Sequence, residues 1–389
     1  MNQKIIHQLT TQFRQHFNEE PDLLVFSPGR INLIGEHTDY NEGFVLPAAV
    51  ELGIYLVMGT STGEACQVIA SDLDEQQLFH VDEVSPLRDG GWRNYVLGVV
   101  HFLKRSGVNL TPFKAVFAGD IPSGAGMSSS AALENAFSFG LNELFRGGKP
   151  KVDLAFVGQQ AEHEFVGVKC GIMDQFSSLL GEADHAMLLD CRSLNFRNIP
   201  LALGSCRLLL INSNVHHNLA NSEYNVRREQ VEAGVYTIRE KHGEVKSLRD
   251  VTRERLEDFQ AKLPATIFKR CRYVIEENRR VLAFTERLET GNLAAAGALL
   301  KESQEGMRNE YEITCPEIDF LADFANSFEG VLGARMMGGG FGGCVLVLAE
   351  STSVSKLKKE ISTAYKRKFD QDTSFIEFQI ADGTATHSL

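Results

Sequence analysis

The stretch GAGMSSSAALENAF, residues 124–137, places two glycines and three consecutive serines at the mouth of an apolar helical pattern. Gly124 and Gly126 tolerate backbone angles that other residues resist, so successive N–H groups there can turn inward on an anion. A helix starting near Ser130 would add unpartnered N–H groups and the positive end of its dipole. Together these features make a phosphate cradle. The hydroxyls of Ser128, Ser129 and Ser130 add donors, and one of them can ligate a divalent cation beside phosphate oxygens. The same residues also read as a serine-capped helix after a glycine turn, which accounts for one Ser and one Gly. The capping box that would complete such a cap is missing, because Leu133 stands three after Ser130. A GxxxxGK[ST] loop occurs nowhere, so a nucleotide bound here is held by another design.

Two further segments carry charge in apolar surroundings. SPGRINLIGEHTDYNEGFVLP, residues 27–47, contains Arg30, Glu36, His37 and Asp39. Carboxylates and an imidazole so close together suit a ligand rich in hydroxyls, since carboxylates accept strong hydrogen bonds from sugar OH groups. A metal would want a second His at ligand spacing, which is absent. Arg30 cannot lose its proton and is a natural clamp for a phosphoryl group in transfer. A polar turn between strands explains the segment equally well. In AEHEFVGVKCGIMDQFSSLLG, Glu162 lies beside the apolar stripe of its helix, where it can face a cleft or solvent. Asp174, in GIMDQF, is a candidate base or a helix-start residue. Desolvation makes a carboxylate a better base and a neighbouring Arg favours its charged form.

GARMMGGGFGGC, residues 333–344, formally matches GxGxxG at Gly338, Gly340 and Gly343. A dinucleotide fold wants that motif between a strand and a helix, whereas the following CVLVLAE reads as a strand. Five glycines around Phe341 fit either a hairpin or a backbone packed closely on another loop or a ligand. A nicotinamide dehydrogenase therefore has only this weak match behind it.

The elements that must position these residues alternate along the chain. Ile5, Leu9, Phe13 and Phe17 mark an amphipathic N-terminal helix rather than a signal peptide. Segments 22–29, 44–50, 53–60, 66–71 and 113–120 read as strands. Segment 94–107 reads as a helix, as do the residues after the serines, where Ala132, Leu133, Ala136, Phe137, Leu141, Leu144 and Phe145 share a face. Helices are predicted over 153–167 and 171–181, strands over 186–190 and 206–213, and a largely helical stretch from 222 to about 328. Strands at 330–337 and 342–350, a helix over 354–369 and a strand over 374–380 resemble the end of a ferredoxin-like arrangement. The pattern is α+β, and 389 residues with a change near 200 predict two domains, 1–203 and 204–389. The net charge of −12 argues against a basic nucleic-acid footprint. No apolar run is long enough for a membrane span. Seven cysteines without a CxxC pair point to reduced thiols in a cytoplasmic protein.

Together the four motifs resemble those of the GHMP small-molecule kinases, and among them the galactokinase family. GRINLIGEHTDYNEGFVLP is similar to that family's N-terminal signature, GAGMSSSAALE to the phosphate loop, CGIMDQ to the segment with the catalytic aspartate, and RMMGGGFGG to the third motif. The resemblance runs over nearly the whole chain. It implies a ribosomal S5 domain 2-like N-terminal domain and a ferredoxin-like C-terminal domain with the active site between them. It implies that Arg30 and Asp174 are catalytic and that Glu36, His37, Thr38, Asp39, Gly171, Asp174 and Tyr224 line the sugar pocket. Gly124, Ala125, Gly126, Met127, Ser128, Ser129 and Ser130 would wrap the phosphates of ATP, Ser71 and Trp92 are candidates for the adenine side, and Ser130 with Glu162 would hold Mg²⁺.

Two positions depart from the family pattern: Met337 stands where Thr is usual, removing a hydroxyl, and Met127 replaces a Leu of similar volume. The implied reaction is ATP-dependent phosphorylation of galactose at C1, the first committed step of galactose breakdown by the Leloir route, carried out by a monomer without nucleic-acid or membrane partners. Kinases for mevalonate or homoserine fit the sugar-type signature poorly. Kinases for arabinose or N-acetylgalactosamine, and a non-catalytic galactose and ATP sensor, remain as alternatives.

Overall fold

The computed structural model describes residues 1–215 and 220–389. Its first sheet has six strands in the order Ala385–His387, Leu23–Asn32, Pro47–Thr60, Phe113–Gly119, Cys66–Ala70, Glu75–Phe79, antiparallel except where Cys66–Ala70 runs parallel to Phe113–Gly119. Side chains alternate across it as a two-residue period requires. Leu24, Phe26, Tyr55, Val57, Val116 and Ala118 point to one face, where Ile6, Leu9 and Phe13 of the helix Gln3–Phe17 cover them. Val25, Leu56, Met58, Ala115 and Phe117 point to the other, into the main core.

That second face carries the helices Trp92–Arg105, Ser129–Leu144, Lys151–Ala161 and Met173–Leu180. Ser129–Leu144 starts one residue earlier than its sequence predicts. It is enclosed by the sheet and the other helices, so Glu134, Asn135, Ser138 and Asn142 are buried along with the apolar stripe. The helix expected over 153–167 stops at Ala161 and continues as a π turn, Glu162–Val166. Such turns re-aim side chains within a helix and are frequent at functional sites.

The second sheet is antiparallel, in the order Val331–Met337, Cys344–Glu350, Cys206–Asn212, Ser374–Ile376. With the helix Ser351–Phe369 before its last strand, this is the ferredoxin-like order, its first crossover enlarged by the helices between Ala220 and Ser327. The fold is thus the two-domain α+β fold expected, with a small third sheet, Phe44–Val45, His185–Asp190, Phe196–Pro200. The predicted strand over 374–380 is strand only to Ile376. Beyond it the chain leaves the second sheet, bridges Val50 through Ile380, and ends on the first sheet beside Leu23–Asn32. A boundary drawn at 203/204 therefore assigns this last strand to the half it does not pack on. Among the described residues no helix is long and apolar enough to cross a membrane, and all seven cysteines are free thiols.

Candidate active site

Arg30 and Asp174, 144 residues apart in the chain, meet as a two-pronged ion pair: Nε and Nη2 each donate to one carboxylate oxygen at 2.8 Å. Arg30 lies on the strand Leu23–Asn32 and is nearly fully buried, while Asp174 sits in the first turn of the helix Met173–Leu180. The remaining Arg30 nitrogen, Nη1, donates to the Gly126 carbonyl at 2.5 Å, and the Arg30 N–H to the Met127 carbonyl at 3.0 Å. The phosphate loop is thereby tied to the pair. Ser128 takes a left-handed backbone (φ 56°), a strained choice for a residue with a side chain. Its hydroxyl reaches the Asp174 carboxylate in place of capping the helix, which has no side-chain cap. The free first turn of Ser129–Leu144 is left available to an anion.

Around this loop the side chains separate by direction. Ala125 and Met127 point into a buried cluster with Ile31, Met337 and Cys344, while Gly124 and Ser129 are exposed. Met337 is thus beneath the loops, away from the cleft lining. The glycine motif packs backbone to backbone on the phosphate loop: a Cβ on Gly126 would meet the Met337 carbonyl at 3.3 Å. This is the close-approach reading of its glycines, and the strand Cys344–Glu350 that follows rules out the dinucleotide one.

A cleft of about 300 Å³ opens beside the pair, lined by both halves of the chain. Glu36, His37, Asp39, Gly171 and Tyr224 all line it. His37 lies at 4.9 Å, ring centre to ring centre, from Tyr224. Burial lowers the His37 pKa to about 3, so its ring is neutral at pH 7. With Nε2 facing the Gly339 carbonyl at 3.1 Å, Nε2 must carry the hydrogen, which makes Nδ1 the acceptor from the Tyr40 hydroxyl at 2.6 Å. Tyr40 then accepts from Tyr311 at 2.7 Å. Burial, and then the Asp174 charge, raise the Asp39 pKa to about 7. Glu36 forms an ion pair with Arg335 and accepts from the Gly338 N–H at 3.0 Å; burial raises its proton affinity and Arg335 opposes that. Thr38 is fully buried outside this lining. Its one hydroxyl proton is shared between the Gly35 and Phe44 carbonyls at 2.8 and 2.6 Å, so it holds the loop shape.

Ser130 and Glu162 both line the cleft. The Glu162 carboxylate accepts from the Cys170 thiol at 2.8 Å and from Gln175 Nε2 at 3.2 Å. Burial and then the Asp174 charge raise its proton affinity, partly offset by Cys170 and Ser130. A carboxylate so placed among neutral donors and a like charge fits a divalent cation. Two protein oxygens leave the rest of a Mg²⁺ shell to phosphate and water. Among the described residues no set of three or more His, Cys, Asp and Glu is arranged to hold a metal alone. Ser71 and Trp92 do not line the cleft. They flank Phe117: the Ser71 N–H donates to its carbonyl at 2.8 Å, and the Trp92 ring meets its ring edge-on at 5.2 Å.

Several residues at the site escaped the sequence reading. Arg335 is fully buried and donates to the carbonyls of Asn32, Leu33 and Met336, each at 2.7 Å, besides pairing with Glu36. It staples the second sheet to the end of the strand that carries Arg30. Tyr311 sits in a second π turn, Met307–Tyr311. Gln175 bridges Glu162 to the buried Glu134. Arg335 and Gln175 stand inside the glycine and aspartate motifs but carried no role there; Tyr311 had no signal in the chain.

Three family models match the sequence: the galactokinase galactose-binding signature over residues 11–60, the GHMP kinases N terminal domain over 94–182 and the GHMP kinases C terminal over 284–367. The fold and cleft define a small-molecule kinase of the GHMP class. A crystal structure of Lactococcus lactis galactokinase complexed with galactose superposes with a TM-score of 0.93 at 33% identity, covering 98% of this chain and 99% of that one. Galactokinases of Roseiflexus sp. (39% identical over 376 residues, 97% of this chain and 96% of theirs) and Thermotoga petrophila (41% over 359 residues, 92% and 98%) are similar throughout. The chain belongs to the galactokinase family.

Proposed function

We propose that the protein transfers the γ-phosphoryl group of ATP to the C1 hydroxyl of α-D-galactose, giving galactose 1-phosphate and ADP. One observation carries this reading: the Arg30–Asp174 pair lines a single cleft together with Ser128 and Ser130 of the serine-bearing helix mouth and with Asp39, His37 and Tyr224. Asp39 presents hydrogen-bonding oxygens to sugar hydroxyls, the neutral His37, its ring nitrogens engaged by Gly339 and Tyr40, shapes the pocket, and the Tyr224 ring supplies an apolar wall. Asp174 orients the C1 hydroxyl and takes its proton as that oxygen bonds to phosphorus and the bond to the ADP oxygen breaks. Arg30 fixes the carboxylate in plane and adds positive charge where negative charge passes. Loop 124–130 and the helix N-terminus hold the phosphates. Mg²⁺ bound at Ser130 and Glu162 would neutralise charge on the phosphate oxygens. Catalysis of this kind is mostly positioning and electrostatics.

ADP release measured across galactose, arabinose, N-acetylgalactosamine and mevalonate tests the assignment. Turnover confined to galactose is expected. Preference for another sugar overturns the substrate, and galactose binding without turnover makes the protein a sensor. Asp174→Ala should abolish turnover while ATP still binds. Arg30→Ala should lose at least about 10²–10³ in rate, and near-normal activity in either variant removes that residue from the mechanism.

A further inference from the structure

The chain's last residues cross from the second sheet to fasten the two elements that carry Arg30 and Asp174. Ser27 lies on the strand of Arg30, and Ser178 lies one turn beyond Asp174 on its helix. Residues three apart on a regular strand face opposite sides. The pairing register shifts between Pro28 and Arg30, and Ser27 and Arg30 both meet the helix.

The third member is Thr384. Ser27 Oγ lies 3.2 Å from Ser178 Oγ and 2.9 Å from Thr384 Oγ1, and Thr384 Oγ1 donates to the Ser178 carbonyl at 2.9 Å. Each hydroxyl has one proton, which fixes the direction: Ser178 donates to Ser27, Ser27 to Thr384, and Thr384 to the Ser178 backbone. All three residues are at most 1% exposed. The Thr384 N–H also donates to the Ser178 carbonyl, at 2.8 Å, and the Gly383 N–H to the Gly181 carbonyl, at 2.8 Å. The Ser178 carbonyl belongs to the last turn of Met173–Leu180, which has no helical partner for it.

We propose that Thr384 is a positioning residue for phosphoryl transfer, its hydroxyl locking the strand of Arg30 to the helix of Asp174 through Ser27 and Ser178. This rests on the roles proposed above for Arg30 and Asp174. The pair has no covalent connection nearer than the intervening chain, so its two-pronged geometry depends on how strand and helix are held. A misplacement of about 1 Å at a reacting centre can reduce rate about 10²-fold.

The test is Thr384→Val, which keeps the side-chain shape and removes the hydroxyl, with Thr384→Ser as the rescue. Rates are taken on the full chain well below its unfolding temperature, with the sugar that wild type phosphorylates. A wild type inactive on galactose refutes the proposed substrate without touching this arm. The expected result is a kcat lower by about tenfold or more with both KM values within about twofold, restored by Thr384→Ser. In an Arg30→Ala background the same substitution should have little further effect, because the geometry it guards is already gone. A kcat within about twofold of wild type overturns the proposal, as does a loss that Thr384→Ser fails to restore or that persists undiminished with Arg30→Ala. Should Thr384→Val fail to fold, Ser27→Ala removes the central hydroxyl, with Ser27→Thr as its rescue, and is judged by the same kcat, KM and Arg30→Ala outcomes.

Discussion

Replacing Gly171 with alanine isolates the contribution of Asp39 to sugar binding. A Cβ at residue 171 would stand 1.9 Å from Asp39 Oδ2 and 2.2 Å from its Cγ, where real contacts stay beyond 3.0 Å. The backbone there is not left-handed, so alanine brings the clash without conformational strain. The carboxylate must retreat by about 1 Å or more, and hydrogen bonds tolerate only a few tenths of an ångström around about 2.8 Å. Losing one charge-assisted bond costs about 1.5–3 kcal/mol, or roughly ten- to a hundredfold in affinity. The expected variant has a galactose KM raised by at least that factor, ATP binding near wild type by calorimetry, and an unfolding midpoint somewhat lowered, because the new Cβ also stands 2.7 Å from Asp39 Cβ and overpacking costs about 1–3 kcal/mol. A galactose KM within about twofold of wild type in the folded variant would refute the placement of Asp39 against the sugar.

Because the Asp39 pKa is raised to about 7, its proton is retained in the empty folded protein where the unfolded chain has already ionised. That contribution to stability is complete below the unfolded value of 3.8 and is lost as pH rises through about 7. A sugar that needs the carboxylate must displace the proton, so galactose affinity should weaken by up to about tenfold per unit as pH falls below 7; Asp39→Asn should flatten that profile, and an identical slope in the variant would assign it elsewhere. Arg335→Met should destabilise the fold by about 3–5 kcal/mol in urea unfolding, because it strands the buried Glu36 charge. A change below about 1 kcal/mol would mean that the staple is dispensable.

Much of the fold was legible because periodicity is a local property. Tyr55 and Val57 against Leu56 and Met58 declare a strand with two covered faces, and the apolar positions from Ala132 to Leu141 declare a helix. Local rules misjudged places where tertiary contacts intervene. The helix through Glu162 becomes a π turn, and the final predicted strand is cut short because its chain leaves for another sheet. At the site, glycines, serines and charges advertised chemistry, yet residue type alone could not distinguish Asp39, which faces the cleft, from Thr38, whose hydroxyl is committed to backbone carbonyls.

By itself the sequence determined the inventory: a glycine–serine helix mouth able to hold an anion, a charged signature in an apolar strand, an aspartate opening a helix, and the family to which these belong. Only the tertiary structure decided which groups meet. Arg30 and Asp174 pair across the fold, Arg335 fastens Glu36, and Thr384 closes onto Ser27 and Ser178. Backbone propensities act over a few residues, whereas these contacts join groups far apart in the chain, and they exist only once two sheets and their helices have packed.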